Sequence, residues 1–140
     1  MSLKITSSYI QMNKYLADTM AIVLYLENRR FPANTKKIFN DTLDGNSIMY
    51  FSAVSLMEIG YLSEKQRIDI SISSVLKLTE ENKNFIIYNL DSAIIMEAFK
   101  IKNIPELHDR LITATASILK VNLITNDPII SRSQYVKTIW

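Results

Sequence analysis

Residues 109–127 read DRLITATASILKVNLITND, and this stretch decides the fold class. Asp109 opens a predicted helix. A short apolar strand, Val121–Ile124, follows the helix without a loop, and Asp127 stands just beyond the strand, after the step Thr125-Asn126. A helix that leads straight into such a strand is typical of α/β proteins, in which helices and strands alternate along the chain. We therefore expect this fold class.

The same alternation fills the rest of the chain. Helical stretches separate the strands and tight hairpins are lacking, which favours a parallel sheet with helices on both faces. We expect one α/β domain over residues 1–140. The other predicted strands are Tyr15–Ala17, Ile48–Phe51, Phe85–Tyr88 and Val136–Ile139, and the other predicted helices cover 18–27, 34–43, 52–60 and 91–99.

One stretch, Arg67–Glu81, is ambiguous. Ile68, Ile70 and Ile72 alternate as in a strand, whereas Ile72 also begins an apolar set with helical spacing. We favour a helix here, because residues 79–82 read like a helix end followed by a loop.

Composition indicates an ordinary soluble domain. The chain has 140 residues, of which 48% are hydrophobic and 21% charged. No apolar run approaches the ~20 residues that cross a bilayer, so we expect no membrane association. Residues 1–10 lack the pattern of a secretory signal, and the opening Met-Ser-Leu is compatible with an expression leader. The absence of cysteine fits a cytoplasmic protein.

The residues that are missing or rare narrow the chemistry. Two glycines, Gly45 and Gly60, cannot build a P-loop or a dinucleotide-binding GxGxxG turn. A lone His108 excludes a two-histidine metal site, and no cysteine can act as a thiol nucleophile. No G-x-S-x-G elbow accompanies His108. Catalysis would therefore depend on carboxylates, hydroxyls and lysines, and the net charge of +2 is too small to argue nucleic-acid binding by itself.

Four acids occupy related places in the predicted fold. Asp18 follows the first strand, Asp127 follows the fourth, and Glu58 lies in the apolar helix after the second. In an open parallel sheet, ligands bind beyond the carboxyl ends of the strands, so these three acids should share one edge. Whether Asp109, at the head of its helix, reaches the same edge is left open by the spacing alone.

A cluster of this kind has specific electrostatic consequences. Two carboxylates 4 Å apart repel each other by about 1 kcal/mol in water and by ~4 kcal/mol near a protein surface. Four together would take up protons or recruit a cation. Oxygen ligands select Mg²⁺ or Mn²⁺ and not zinc, and such an ion can polarise a phosphodiester and acidify water.

Each acid also has a purely structural interpretation. Asp18 and Asp127 are suitable N-caps, the latter with a proline at the next position, and Asp109 can favour a helix dipole. Glu58 is harder to explain in this way, because an acid in an apolar helical run needs a partner if it is buried.

Three stretches resemble the PIN-domain family, and particularly its VapC-like toxins. They are LADT at 16–19, SAVSLMEI at 52–59, and HDRLITATA at 108–116 running into LITND at 123–127. The resemblance covers about Tyr15 to Trp140 and implies a three-layer α/β/α sandwich with a central parallel sheet. It also implies that Asp109 joins the other acids. The catalytic and metal-binding set, with Mg²⁺ or Mn²⁺ as cofactor, would be Asp18, Glu58, Asp109 and Asp127, with Thr125 hydrogen-bonded to a carboxylate or water.

The same resemblance implies an activity. VapC-like proteins are endoribonucleases in which activated water attacks phosphorus in line, leaving a 5′-phosphate and a 3′-hydroxyl. Their typical substrates are structured RNAs such as tRNA and rRNA, and they are typically homodimers that a small antitoxin protein inhibits. The leading hypothesis is the toxin of such a pair. The alternatives are a PIN nuclease of RNA processing and a catalytically silent RNA-binding or scaffold module, which the presence of all four acids disfavours.

Features outside the motifs carry weaker expectations. His108 contacts substrate or is simply solvated, and the basic residues around the first two helices contact phosphates or a partner, or form a solvated face. Met57 should alter packing and not metal binding. We expect the apolar faces of the first two helices to form a dimer or antitoxin surface. The basic residues are Arg29, Arg30, Lys36 and Lys37.

Overall fold

The computed structural model describes residues 12–140, so the expectations for residues 1–10 lie outside the described part of the chain. Five strands and seven helices alternate over the described residues, which confirms the α/β class. They are β1 (Asn13–Ala17), α1 (Thr19–Leu26), α2 (Ala33–Leu43), β2 (Ser47–Ser52), α3 (Ala53–Glu64), α4 (Ile72–Glu81), β3 (Phe85–Tyr88), α5 (Ser92–Lys100), α6 (Leu107–Leu119), β4 (Asn122–Ile124), α7 (Pro128–Ser133) and β5 (Thr138–Ile139).

The five strands form one parallel sheet in the order β3-β2-β1-β4-β5. The chain adds β2 and β3 on one side of β1, then crosses to add β4 and β5 on the other side. Leu16 at the centre pairs with Tyr50 of β2 and Leu123 of β4. The order therefore reverses between β1 and β4, and such a switch point is where open α/β sheets bind ligands.

Apolar residues cover both faces of the sheet, which confirms the predicted three layers. Neighbouring residues of β1 face opposite ways: Ala17 joins one buried cluster and Leu16 the other. The first cluster packs α1, α2 and α4 around Phe39 and Phe85, where Tyr25 stacks on Phe39 with ring centroids 4.3 Å apart. The second cluster packs residues of α5, α6 and α7 against the opposite face.

Two predicted helix boundaries were wrong. The third helix does not stop at Gly60 but continues to Glu64. Gly60 instead lies where α4 approaches α3, since a β-carbon there would stand 2.7 Å from Ile72 Cδ1. In the ambiguous stretch, the favoured helix begins only at Ile72, and Ile70 is a buried residue of the preceding loop.

The apolar side chains of the first two helices are divided between the core and the surface. Ile22 and Phe39 are fully buried against the sheet. Met20 of α1 and Leu43 of α2 are 46% and 42% exposed, so the expected partner surface on these helices stays a prediction. The four basic residues around these helices are all exposed, and Lys37 forms an i,i+4 ion pair with Asp41 at 3.0 Å. Within residues 12–140, no helix has the length and apolar character needed to cross a bilayer.

Candidate carboxylate site

Asp18 lies at the switch point between β1 and β4. Its backbone N–H donates to the carbonyl of Ile124 at 3.0 Å, and its Oδ1 accepts from the N–H of Ala21 at 2.8 Å, which makes it the N-cap of α1. Burial raises the pKa of Asp18, against the hydrogen bonds from Thr125 and Ala21, which lower it. The negative charges of two further acids, Asp127 and Glu58, raise the pKa again.

Asp127 stands beside Asp18, just after β4. It caps α7, because its Oδ1 accepts from the N–H groups of Ile129 at 2.8 Å and Ile130 at 3.2 Å. Asp127 is thus an N-cap, as its structural interpretation predicted. Both capping bonds use Oδ1, and Oδ2 takes part in neither. The buried Thr125 joins the two acids, since its Oγ1 accepts from the Asp127 N–H at 3.1 Å and its hydroxyl hydrogen-bonds the Asp18 carboxylate.

Glu58 reaches the same edge from α3 and has the partner that its burial demands. Its side chain is 27% exposed, and its Oε1 accepts from Thr19 Oγ1 at 2.5 Å. The Thr19 hydroxyl also lies 2.9 Å from Ser55 Oγ, and both of these residues are buried. Glu58 Oε2 faces the imidazole of His108 at 3.8 Å from Nδ1. The carboxylate is therefore held between two helices.

Asp109 joins this group from the first turn of α6. A helix that precedes a strand of a parallel sheet runs antiparallel to it, so the helix begins where the strand ends. The pKa of Asp109 is raised to about 6, first by burial and then by the negative charge of Glu106. The charges of Asp127, Glu58 and Asp18 raise the pKa further, which places all four predicted acids within electrostatic reach of one another.

Asp109 does not itself open the helix, as the sequence had suggested. Glu106 is the N-cap of α6, with its Oε2 accepting from the Asp109 N–H at 2.7 Å. Its Oε1 lies 3.2 Å from His108 Nδ1, so the imidazole stands between Glu106 and Glu58. His108 is 41% exposed, and it is neither fully solvated nor buried.

Sequence reasoning missed three residues of this site: Thr19, Ser55 and Glu106. Ser55 is three residues before Glu58 and so lies on the same helix face, which is a detectable signal. Glu106 three residues before Asp109 fits an N-cap in hindsight, although glutamate is not among the favoured caps. Nothing in the spacing indicates that Thr19 would bond Glu58, because the contact joins two different helices.

The donor set fits a hard divalent cation. No group of three His, Asp or Glu side chains within residues 12–140 already stands in a metal-holding arrangement. Nevertheless, burial raises the pKa of Asp18 and of Asp109, and the negative charges of the neighbouring acids raise both further, so these carboxylates repel one another. Carboxylate and hydroxyl oxygens are the kind of ligand that Mg²⁺ and Mn²⁺ prefer.

The protein is thus an α/β protein with acids collected at the switch point of a parallel sheet. Such a site suits chemistry on phosphate groups. The family model of the PIN domain matches residues 15–134, and the chain belongs to this family. PIN domains are nucleases. None of the curated proteins compared matches the chain significantly.

Solved structures show the same fold. The chain resembles VapBC2 from Rickettsia felis bound to a DNA fragment of its promoter, with a TM-score of 0.68, 18% identity, and coverage of 91% of this chain and 98% of that one. DNA-bound VapBC from Salmonella typhimurium gives a TM-score of 0.65 at 18% identity, with coverage of 91% and 98%. FitAcB from Neisseria gonorrhoeae gives 0.63 at 19% identity, with coverage of 90% and 96%.

Proposed function

We propose that this protein is a Mg²⁺- or Mn²⁺-dependent endoribonuclease and the toxin of a toxin–antitoxin pair. The observation that carries the proposal is the meeting of Asp18, Glu58, Asp109 and Asp127 at the switch point, where the negative charges of their neighbours help to raise the pKa of Asp18 and of Asp109. Such a group suits a site that receives a cation together with a polyanionic substrate.

In this proposal the four acids hold the ion and the neighbouring hydroxyls hold the acids. When bound, the ion would polarise the phosphodiester and make water a better nucleophile. Thr125 orients Asp18 and the loop to Asp127, while Thr19 fixes one oxygen of Glu58. The expected products carry a 5′-phosphate and a 3′-hydroxyl.

The partners follow from the same family. The similar structures from Salmonella and Rickettsia are VapBC assemblies, and a similar structure from Klebsiella pneumoniae is described as a toxin–antitoxin complex. We therefore propose that a small antitoxin protein inhibits this chain, that the chain forms a homodimer, and that it acts in the cytoplasm on structured RNA such as tRNA or rRNA.

The first experiment tests cleavage directly. The purified chain, freed of any bound partner, is incubated with a tRNA and rRNA pool in Mn²⁺, Mg²⁺ or EDTA, beside Asp109→Asn. Glu80→Gln is the matched control, because Glu80 is an exposed acid near the end of α4, which leads to the opposite edge of the sheet. We expect discrete fragments from the parent and from Glu80→Gln, and none with EDTA or with Asp109→Asn.

Other outcomes select the alternatives. Cleavage by Asp109→Asn at the parental rate would contradict the carboxylate site. Binding of RNA and Mn²⁺ without turnover would favour a silent scaffold module. Expression in a bacterial host separates a toxin from a nuclease of RNA processing: a toxin arrests growth, Asp109→Asn does not, and co-expression of a small neighbouring gene relieves the arrest.

A further inference from the structure

A groove adjoins the carboxylate site between α3 and the beginning of α6. It has a volume of about 430 Å³ and is lined by Met57, Glu58, Tyr61, Leu62 and His108. Glu58 belongs to both the acid group and the groove wall. The groove is therefore continuous with the place where the proposed function requires a phosphodiester.

Two side chains of the groove wall are exposed. Met57 is 53% exposed and Tyr61 is 55% exposed, although they flank an acid that is itself mostly covered. One turn further along α3, Lys65 Nζ stands 5.6 Å from the centre of the Tyr61 ring. An accessible aromatic face, a nearby cation and the imidazole of His108 thus surround one small recess.

We propose that this groove binds the base of the nucleotide next to the scissile phosphate, with the base stacked on Tyr61 and its polar edge towards His108. This inference rests on the proposed function. A phosphodiester held at the acids has a nucleoside bonded on each side of it. The groove opens at Glu58, one of those acids, so it lies where one of these nucleosides must be. The substrate class is then an RNA whose nucleotide at the cut is unpaired.

The chemistry of the lining supports a base. Proteins that read single-stranded RNA stack splayed-out bases on tyrosine or histidine and hydrogen-bond their edges, whereas a paired base inside an A-form helix is not accessible in this way. Lys65 Nζ lies over one face of the Tyr61 ring, so the base would stack on the other face, and the ammonium can meet the next phosphate along the strand. The volume lies within the range of sites that hold one small ligand or a single base.

The test uses a short oligoribonucleotide that contains the cleavage site found with the RNA pool. Cleavage kinetics are compared for the parent, Tyr61→Ala and Tyr61→Phe. Leu43→Ala is the control, since Leu43 is another exposed apolar residue, 42% exposed, at the end of α2 towards the opposite edge of the sheet. We expect Tyr61→Ala to raise KM by about 10-fold, because a stacked base contributes substantially to binding. Tyr61→Phe and Leu43→Ala should remain within about twofold of the parent, since the phenyl ring still stacks.

A substrate without the base makes the test specific. An oligonucleotide with an abasic site on the occupied side of the cut should give the parent the same raised KM that Tyr61→Ala shows, and the two changes should not add. Equal KM values for Tyr61→Ala and the parent on the intact substrate would overturn the inference. So would loss of antitoxin binding by Tyr61→Ala with no change in KM, because the groove would then serve a protein.

The inference and the proposed function fail differently. If the parent cleaves and Tyr61→Ala is unaffected, only the groove assignment is lost. If the parent does not cleave, the proposed activity is lost, and binding of a single-stranded oligoribonucleotide that carries one 2-aminopurine base, chosen without reference to a cleavage site, still tests the groove. Fluorescence quenched by the parent and not by Tyr61→Ala supports it, and equal fluorescence contradicts it. Circular dichroism verifies that each variant is folded.

Discussion

Asp109→Asn should make the metal-free protein more stable while it removes the response to metal. In the folded chain the pKa of Asp109 rises from 3.8 to about 6, so its charge is unfavourable at neutral pH. Taken at face value this corresponds to at most about 3 kcal/mol at 1.36 kcal/mol for each pKa unit. Because Asp109 is partly exposed and its charge also benefits from the α6 N-terminus, we expect a net gain of about 1 kcal/mol.

Thermal unfolding measures both effects. In EDTA at pH 7.5, Asp109→Asn should unfold about 3–4 °C above the parent, whereas the control Glu80→Gln should match it. Added Mn²⁺ should raise the Tm of the parent and of Glu80→Gln, and should raise that of Asp109→Asn much less, because ligand binding stabilises only the folded state. A lower Tm for Asp109→Asn than for the parent in EDTA would refute the argument that burial and the other acids disfavour the charge of Asp109.

Three further results are expected. In EDTA, the urea concentration at the unfolding midpoint should rise as the pH falls from 7 to 5, because a carboxyl whose pKa is raised on folding binds protons more tightly in the folded state. Asp109→Asn should weaken this dependence of stability on pH. Thr19→Val removes the hydroxyl that donates to Glu58, so it should lower the cleavage rate and the Mn²⁺ affinity about 10-fold. Thr19→Ser should retain both. Equal values for the valine and serine variants would contradict the positioning role of Thr19. Asp18→Asn keeps an amide oxygen for the α1 cap, so it should lose cleavage but unfold at a Tm near that of the parent. Asp18→Ala should lose cleavage and also have a lower Tm. Cleavage by Asp18→Asn would show that Asp18 is only a cap.

Sequence periodicity predicted the elements that are determined locally. The strands β2, β3 and β4 were found because short apolar runs stand between helical stretches, and their alternation with helices was enough to predict a parallel sheet. The helix ends were less accessible. Gly60 suggests a stop when α3 is considered alone, but it lies inside the helix, at a place where α4 approaches too closely for a side chain. Contacts of that kind depend on a second element and leave no mark in the local spacing.

The expected partner surface on α1 and α2 also depends on contacts that local spacing does not reveal. Apolar residues on α1 and α2 indicate only that part of each helix avoids water, and they do not say whether the sheet or another protein covers it. The sheet covers Ile22 and Phe39. Exposed apolar side chains remain on these helices at Met20 and Leu43, and on α3 at Met57 and Tyr61.

The structural and chemical interpretations of the acids are compatible, and the fold explains why. Asp18 caps α1, Asp127 caps α7, and Asp109 lies in the first turn of α6, so three helices begin at the same edge of the sheet. Helix N-termini carry partial positive charge and unpaired N–H groups, which favour nearby carboxylates. Parallel topology brings these N-termini together wherever strands end, so the helix starts help to hold the acids close to one another. Burial and the remaining repulsion, which together raise the pKa of Asp109, then favour a bound cation.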